Sequence, residues 1–340
     1  MVDTTSPVAA SSPKSQKSDT PPAADAAPIE VGDDNPADDG DSALGTEASS
    51  SSASISSSIL DYRMSGGWRA PNDALQNEVM DIHHHLLTIA SEDKLHHAPI
   101  KKDIEKALDV GTGTGIWAID FADEFSATEV IGTDLSPIQP SWVPPNLKFE
   151  IEDCTQPWTF RPDTFDYIHM RYLVGSVKDW SSLFEQAFRA CKPGGWVESF
   201  EGVPVMQSDD GSVPDDSAMA GWGKTFIEAG RKLGRSFTVV DDNMQEEGMT
   251  AAGLVDIESR IFKIPIGRWP KDQNYRNIGL FAQEVLEGDV EGHVLHVADL
   301  AWGWSKEQVT VYCAKLRKEI RSGKHHPYYR IKIVYGRKPE

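Results

Sequence analysis

The chain has 340 residues, and its 53 Asp and Glu residues outnumber 33 Lys and Arg residues, which gives a formal net charge of −20 at pH 7. This acidic balance argues against direct binding of DNA or RNA, because Lys and Arg contacts to phosphates supply most of the affinity for nucleic acids. The three cysteines, Cys154, Cys191 and Cys313, lack CxxC spacing and indicate a reduced intracellular chain without a zinc site.

Residues 1–58 are dominated by Ser, Ala, Pro, Asp and Gly, and they carry a net charge of −8, which leaves −12 on the remainder. Such a segment cannot bury enough apolar surface to offset its ordering entropy. We therefore predict a disordered tail over 1–58 and a folded domain over 59–340. A chain that begins near Ile59 is expected to keep its melting temperature.

No targeting or membrane segment is visible in the sequence. The N-terminus lacks the charged and then apolar pattern of a signal peptide, and no apolar run approaches the ~20 residues of a membrane span. We expect a cytoplasmic protein without a membrane partner.

The first predicted helix follows possible N-caps at Asn72 and Asp73. Its apolar residues recur at spacings of three and four, which predicts one packed stripe: Leu75, Val79, Ile82, Leu86 and Ile89. His83, His84 and His85 are consecutive on this helix, so their side chains point in different directions and cannot converge on one metal ion. We interpret them as ordinary surface or packed histidines.

Residues 107–118 (ALDVGTGTGIWA) have the pattern of a short buried strand, a glycine turn and the first turn of a helix. Gly111, Gly113 and Gly115 permit positive φ angles and leave no Cβ, so backbone N–H groups can approach a ligand. A tight turn without a ligand is the alternative, but alternating glycines would then weaken the strand and the helix without any gain in packing. The spacing from Gly113 to Ala118 also fits a dinucleotide fingerprint.

Three carboxylates narrow the choice of ligand. Asp109 precedes the first glycine, where it could meet an ammonium group and would repel a pyrophosphate. Asp134 ends a strand over 129–133 and is placed to accept hydrogen bonds from ribose hydroxyls. Asp153 follows a strand over 147–151 and could accept from the exocyclic amine of an adenine. The expected nucleotide contacts also include Thr112, Leu135 and Cys154, which adjoin these groups.

A fourth strand over 165–169 ends at His169, which is the candidate general base. The alternative is that His169 only packs or forms a structural hydrogen bond. Arg171 is expected to hold an anionic group of the cofactor or substrate, or to pair with a carboxylate. Glu198 and Glu201 flank the end of the fifth strand and face either solvent or the pocket.

From Lys106 onward, strands alternate with helices, which predicts a parallel sheet with helices on both faces. Further helices are predicted over 219–233, 244–252 and 306–322, and further strands over 256–264 and 328–335. Residues 265–304 are rich in apolar side chains but poorly periodic, so we predict an inserted helical cover on the substrate side.

The glycine turn, the three carboxylates and the turn Lys192-Pro193-Gly194-Gly195 together resemble the class I S-adenosylmethionine-dependent methyltransferases. Residues 108–125 (LDVGTGTGIWAIDFADEF), 130–145 (VIGTDLSPIQPSWVPP) and 334–339 (VYGRKP) resemble the fungal LaeA-type members of that class. The resemblance extends over about residues 62–339.

The resemblance implies an α/β fold with a Rossmann-like seven-stranded sheet, helices on both faces and an antiparallel last strand. It implies S-adenosylmethionine as the cofactor. It also implies that residues 59–100, including Tyr62, Arg63 and the first helix, cover the cofactor.

Methyl transfer from a sulfonium is a direct displacement, so alignment of the reactants matters and no covalent residue is needed. The expected function is methylation, at oxygen or nitrogen, of a small-molecule or peptide intermediate of fungal secondary metabolism. The alternative is a nuclear regulator of secondary-metabolite gene clusters that works with velvet-family partners. The lack of a Lys/Arg cluster favours the enzyme. A dehydrogenase is a third reading, disfavoured by Asp109, Asp153 and the Pro-Gly-Gly turn.

Overall fold

The computed structural model describes residues 26–32 and 74–340. Seven strands form one sheet in the order β3-β2-β1-β4-β5-β7-β6. Their bounds are β1 Lys106–Val110, β2 Glu129–Asp134, β3 Leu147–Ile151, β4 Phe165–Arg171, β5 Cys191–Gly202, β6 Val255–Pro265 and β7 Tyr328–Arg337. β7 runs antiparallel to β5 and β6, whereas the other neighbours are parallel. The predicted class I methyltransferase sheet is confirmed.

The described residues form eight helices, which we number in chain order. Their bounds are α1 Ala74–Ala90, α2 Ile116–Glu124, α3 Trp180–Ala190, α4 Ala218–Leu233, α5 Met244–Ala252, α6 Gln273–Gly288, α7 Val290–Trp302 and α8 Lys306–Arg321. β5 begins at Cys191, so the predicted turn over 192–195 is the irregular start of that strand, opposite a register shift in β4.

The sheet is covered on both faces because its strands are apolar on both sides. Leu108 lies in a core cluster with Leu183 of α3 and Met249 of α5. Ala107, one residue earlier and therefore on the other face, clusters with Trp117 of α2. The predicted helices on both faces are confirmed.

A further layer covers the carboxyl end of the sheet. Helices α1, α4, α6, α7 and α8 share an apolar core with Phe200, Ile264 and Ile333 of the strands β5, β6 and β7. Helices α6 and α7 occupy most of the predicted insertion over 265–304. They meet at Asp289, whose carboxylate accepts a hydrogen bond from the N–H of Gly292 at 3.0 Å.

Residues 26–32 differ from the predicted disordered tail because they pack against the domain. Ile29 is 8% exposed, and Val31 forms an antiparallel bridge with Pro270. The N–H of Gly32 donates to the Trp269 carbonyl at 2.8 Å, and the N–H of Lys271 donates to the Glu30 carbonyl at 2.9 Å. Local composition could not show this pairing, because the edge that receives the segment lies far along the chain.

The remaining predictions for the N-terminal region, including disorder and the cover segment at Tyr62 and Arg63, fall on residues 1–25 and 33–73, outside the described residues. Within 26–32 and 74–340, no helix has the length and apolar composition that a bilayer span requires.

Candidate active site

The glycine turn joins β1 to α2 in the predicted place. Gly111, Gly113 and Gly115 have φ angles of 71°, 59° and 84°, in the left-handed region that favours glycine. An added Cβ on Gly113 would lie 2.5 Å from Cε of Met80 in α1. The Thr114 hydroxyl donates to Asp81 of α1 at 2.7 Å. Helix α1 therefore lies directly across the turn.

The backbone N–H groups of this turn are used within the protein. Thr112 N–H donates to the Thr133 carbonyl, and Gly115 N–H donates to the Thr112 carbonyl, both at 2.9 Å. Gly113 N–H donates to Oδ2 of Asp134 at 2.9 Å. The N–H groups of Thr112, Gly113 and Gly115 are therefore occupied within the protein, and the contact of the glycine turn with a ligand stays a prediction. Without them the turn is a poor cradle for a pyrophosphate, which argues against a dinucleotide.

Asp134 links the end of β2 to the turn. Besides the bond from Gly113, its Oδ1 accepts from the N–H of Ser136 at 2.9 Å. Burial raises the pKa of Asp134, while these backbone hydrogen bonds oppose the rise. Each carboxylate oxygen retains a second lone pair that can accept from a ribose hydroxyl.

Asp153, Cys154 and Leu135 lie near Asp134 because β2 and β3 are parallel neighbours. Oδ1 of Asp153 accepts from the N–H and hydroxyl of Thr155 at 2.9 and 2.7 Å. Cys154 is half-buried, and burial and the carboxylates of Asp153 and Asp134 raise the pKa of its thiol to about 12. Leu135 and Ile151 are 44% and 69% exposed, which leaves apolar surface beside the carboxylates for a flat adenine.

Asp109 and His169 face each other on β1 and β4. Oδ1 of Asp109 accepts from Nδ1 of His169 at 2.8 Å, and Oδ2 accepts from the hydroxyl of Thr112 at 2.6 Å. Burial lowers the pKa of His169, so the imidazole is neutral and its Nδ1–H donates.

His169 lies deeper than its predicted position on the rim. It is 1% exposed, and its ring stacks on Trp117 at 3.6 Å between ring centroids. Its buried Nε2 has no hydrogen-bond partner among the described residues. This position does not favour contact with an acceptor, and the base role of His169 stays a prediction.

Arg171 ends β4 and joins this side of the site. Its Nη2 lies 3.0 Å from Nδ1 of His84, whose Nε2 lies 2.9 Å from Oδ2 of Asp120. Arg171 and Asp109 line one small cavity with the glycine turn, of about 90 Å³, which we call the glycine-turn cavity. A guanidinium and a carboxylate in one cavity match the carboxylate and ammonium groups of an amino acid.

Glu198 and Glu201 are buried away from solvent, and neither lines the glycine-turn cavity, contrary to both readings of the sequence. Glu198 is 1% exposed and accepts from the N–H groups of His97 and Ala98 at 2.9 and 2.5 Å. Glu201 is fully buried and accepts from the N–H groups of Leu173 and Val174 at 3.1 and 2.9 Å. Burial raises the pKa of Glu198 to about 7 and that of Glu201 to about 8.

A second, larger cavity of about 370 Å³ adjoins the first, and we call it the apolar cavity. It is bounded by α1, α4, α6, α7 and the segments after β4 and β5. Its aromatic lining consists of Tyr172, Trp222, Phe226, Phe237 and Tyr329, and its histidines are His83, His293 and His296. No lining residue in the described chain is Asp, Glu, Lys or Arg.

Three residues line both cavities: Met80, His83 and Tyr172. Tyr172 has a φ of 56°, which is unusual for a bulky residue and is typical of backbone held in place at a functional site. An added Cβ on Gly202 would lie 2.6 Å from the Tyr172 hydroxyl, so a glycine is needed there.

Sequence reasoning missed His83 and Tyr172. The position of His83 could have been found from its spacing. It is four residues after Val79 and three before Leu86, so it lies on the packed face of α1. For Tyr172 there was no such signal, because its backbone conformation is not visible in the sequence.

Comparisons with known proteins agree with this geometry. A family model described as a methyltransferase domain matches residues 75–210, which include the glycine turn, Asp134 and Asp153. Methyltransferase pytC of Aspergillus terreus is 36% identical over 86% of this chain and 93% of its own length. Secondary metabolism regulator LAE1 of Cochliobolus heterostrophus is 33% identical over 81% of this chain and 91% of its own. Probable methyltransferase tdiE of Emericella nidulans is 28% identical over 78% and 82%.

Proposed function

We infer the function of this protein from one premise: it belongs to the fungal LaeA-type family of class I S-adenosylmethionine-dependent methyltransferases. We propose that it transfers a methyl group to an oxygen or nitrogen of a small-molecule intermediate of fungal secondary metabolism. The named roles of its relatives, a methyltransferase and regulators of secondary metabolism, support the choice of substrate class.

The residues around the glycine turn fit S-adenosylmethionine. Asp134 would hold the ribose, and Asp153 with the exposed side chains of Leu135 and Ile151 would hold the adenine. Arg171 and Asp109 would hold the amino acid end in the glycine-turn cavity. When bound, the cofactor supplies an electrophilic methyl group. The chain then has to align an acceptor with that methyl group and exclude water.

The observation that carries the proposal is the wall shared by the two cavities. Met80, His83 and Tyr172 separate a polar cavity at the glycine turn from an apolar cavity of about 370 Å³. This volume is in the range of small-molecule sites. An acceptor in the apolar cavity would meet the donor at these three residues, in a space lined by aromatic and aliphatic side chains that exclude water.

A regulatory role is the second candidate, because LAE1 aligns with this chain over 91% of its own length. In that case the chain would act in the nucleus with a velvet-type protein partner, and loss of the protein would affect many metabolites.

Metabolite profiling of a deletion strain tests both candidates. A tailoring enzyme predicts the loss of one methylated product and the accumulation of its unmethylated form, whereas a regulator predicts the loss of many unrelated products. The strain is then complemented with Val285→Trp, which places an indole in the apolar cavity, and with Glu284→Trp on the exposed side of the same helix as the control. Recovery of the product with Glu284→Trp and not with Val285→Trp supports the acceptor site. Equal recovery with both contradicts it.

A further inference from the structure

The three consecutive histidines of α1 have different surroundings. Both ring nitrogens of His84 are engaged, with Arg171 and Asp120. The ring of His85 packs edge-on against Phe281, with centroids 4.8 Å apart, away from both cavities. His83 lines both cavities, and its ring packs edge-on against Tyr172 with centroids 4.6 Å apart.

His83 also has ring nitrogens available for a ligand. Neither is hydrogen-bonded to another described residue, although the ring stands at the junction of the two cavities. The hydroxyls of Tyr172 and Tyr329 hydrogen-bond to each other, and Nδ1 of His293 lies 2.6 Å from the Asp289 carbonyl. Of the two polar residues that line both cavities, Tyr172 has its hydroxyl bonded to Tyr329, and His83 is placed to accept a hydrogen bond from a bound molecule.

The absence of acidic and basic side chains from the described lining of the apolar cavity restricts which molecules can bind there. Its described lining contains no acidic side chain to pair with an ammonium group and no Lys or Arg to pair with a carboxylate or phosphate. Burial of an unpaired charge is costly, so a neutral acceptor is favoured. The aromatic side chains of Trp222, Phe226 and Phe237 favour a flat, apolar body.

From this geometry, and resting on the proposed methyl transfer, we propose that the acceptor is a neutral aromatic or enolic hydroxyl compound whose O–H donates to His83. In the transfer, a lone pair of the acceptor oxygen forms the new O–CH₃ bond. The S–CH₃ bond breaks with its electron pair left on sulfur, and the acceptor proton goes to His83. One positive charge is present before and after the step, and it moves from the sulfonium to the ring of His83 at the junction of the two cavities.

The electrostatic surroundings of His83 fit this role. Burial and the nearby Arg171, His293 and His84 lower its pKa to about 3, so the ring is neutral at physiological pH and keeps a nitrogen lone pair that can accept a hydrogen bond. So weak a base takes the proton only as the O–CH₃ bond forms and makes the acceptor oxygen strongly acidic, which demands less of a phenol or an enol than of an alkyl alcohol. The same surroundings favour release of the proton to solvent after each turnover.

The first test is binding, which does not require activity. The probes are 2-naphthol and 2-methylnaphthalene, which have similar shapes but differ in the hydroxyl, titrated by calorimetry into the full chain saturated with S-adenosylhomocysteine. The preference is the ratio of the affinity for 2-naphthol to the affinity for 2-methylnaphthalene. We expect His83→Ala to lower this ratio about tenfold, which corresponds to the loss of one hydrogen bond. His85→Ala, on the next residue of the same helix, is expected to leave the preference unchanged. The charged probe 2-naphthoate is expected to bind more weakly than naphthol.

A second measurement uses the wild-type chain, so its result does not depend on whether His83→Ala folds. In the wild-type chain labelled with ¹⁵N-histidine, naphthol should shift the ring nitrogen signals of His83, assigned by their absence in His83→Gln. The proposal is overturned if folded His83→Ala keeps the wild-type preference, if the His83 signals do not move, or if the wild-type chain does not bind naphthol.

Methyl transfer separates this inference from the proposed function. With S-adenosylmethionine, formation of 2-methoxynaphthalene should fall at least about a hundredfold in His83→Ala, with unchanged affinity for S-adenosylhomocysteine. If naphthol binds at His83 but the wild-type chain methylates neither naphthol nor any compound in a cell extract, the proposed function fails and the hydroxyl site stands. If extract compounds are methylated equally by wild type and His83→Ala, the role of His83 fails and the enzyme stands.

Discussion

The glycine-turn cavity and the apolar cavity share a wall but are constructed from different parts of the chain. The first is lined by the ends of β1 and β4, the turn after β1 and parts of α1 and α2, and its carboxylate, Asp109, accepts from the Thr112 hydroxyl of that turn. The second combines α1, α4, α6 and α7 with residues after β4 and β5, and its lining is mostly apolar. The glycine-turn cavity is therefore defined by hydrogen bonds between neighbouring segments, whereas the apolar cavity is defined by packing and contains few polar groups.

The largest expected effect is on the donor side. Gly113→Val places a β-branched side chain at a φ of 59° and against Met80, so the turn must change its conformation. We expect no measurable binding of S-adenosylmethionine by calorimetry, and in the wild type we expect binding of S-adenosylmethionine but not of NAD.

Gly303→Val is the matched control for strain. Gly303 ends α7 with a φ of 67°, and no atom lies within 4 Å of an added Cβ. Gly303→Val should lose about as much stability as Gly113→Val, but its affinity for S-adenosylmethionine should be unchanged. If Gly303→Val also abolished binding, the effect of Gly113→Val would reflect global destabilisation. Tighter binding of NAD than of S-adenosylmethionine would overturn the identity of the ligand.

The second effect concerns Asp134→Ala. Loss of a hydrogen-bonding carboxylate at the ribose is expected to weaken cofactor affinity roughly ten- to a hundredfold. Because Asp134 also holds Gly113 and Ser136, the variant should lose about 1–3 kcal/mol of stability even without ligand. Calorimetry and chemical denaturation measure the two effects. Asp153→Ala should have a smaller effect on both, and an unchanged affinity in Asp134→Ala would contradict the ribose contact.

The third effect concerns Glu201, a buried carboxyl group whose hydrogen-bond partners, Leu173 and Val174, lie beside the apolar cavity. Unfolded Glu201 loses its proton near its usual pKa of 4.5, whereas the folded protein retains the proton up to about pH 8. Between these values the folded state binds more protons, so stability falls as pH rises.

Denaturation of the wild type and Glu201→Gln at several pH values measures this loss. From pH 5 to 8 the wild type should lose roughly 1–2 kcal/mol relative to the variant. Full linkage over these three pH units would give about 4 kcal/mol, and the expected loss is smaller because water entry relaxes the site. Glu198→Gln should show the same trend over a narrower range, ending near pH 7. Parallel pH profiles for wild type and Glu201→Gln would show that Glu201 is ionised throughout.

The smallest effect concerns residues 26–32, which pack beside the acceptor-side helices. Removal of residues 1–32 should lower stability by about 1–2 kcal/mol relative to removal of 1–25, because Ile29 and the strand pairing with Pro270 are lost. Thermal unfolding of the two truncated chains measures the difference. Equal melting temperatures would restore the expectation that the whole segment before Ile59 is dispensable.

The sheet and the group of residues around the glycine turn could be predicted from local sequence patterns. Alternating strands and helices predict the layered fold, and the signals for Gly113, Asp109 and Asp134 are local because each residue lies at the end of a strand or in the turn that follows it. Parallel strands bring their carboxyl ends to one edge, so a local pattern is enough to place these residues together.

The apolar cavity could not be predicted in this way, because it forms only when helices distant in sequence pack together. His83 looked like one of three equivalent histidines until α1 was placed across the glycine turn, and His169 looked like a rim residue until its ring was seen stacked on Trp117. Likewise, Ile29 lies in a stretch of tail-like composition and is buried only because the edge at Pro270 receives it. Contacts between elements distant in sequence leave no local pattern, because they depend on how whole helices and strands pack.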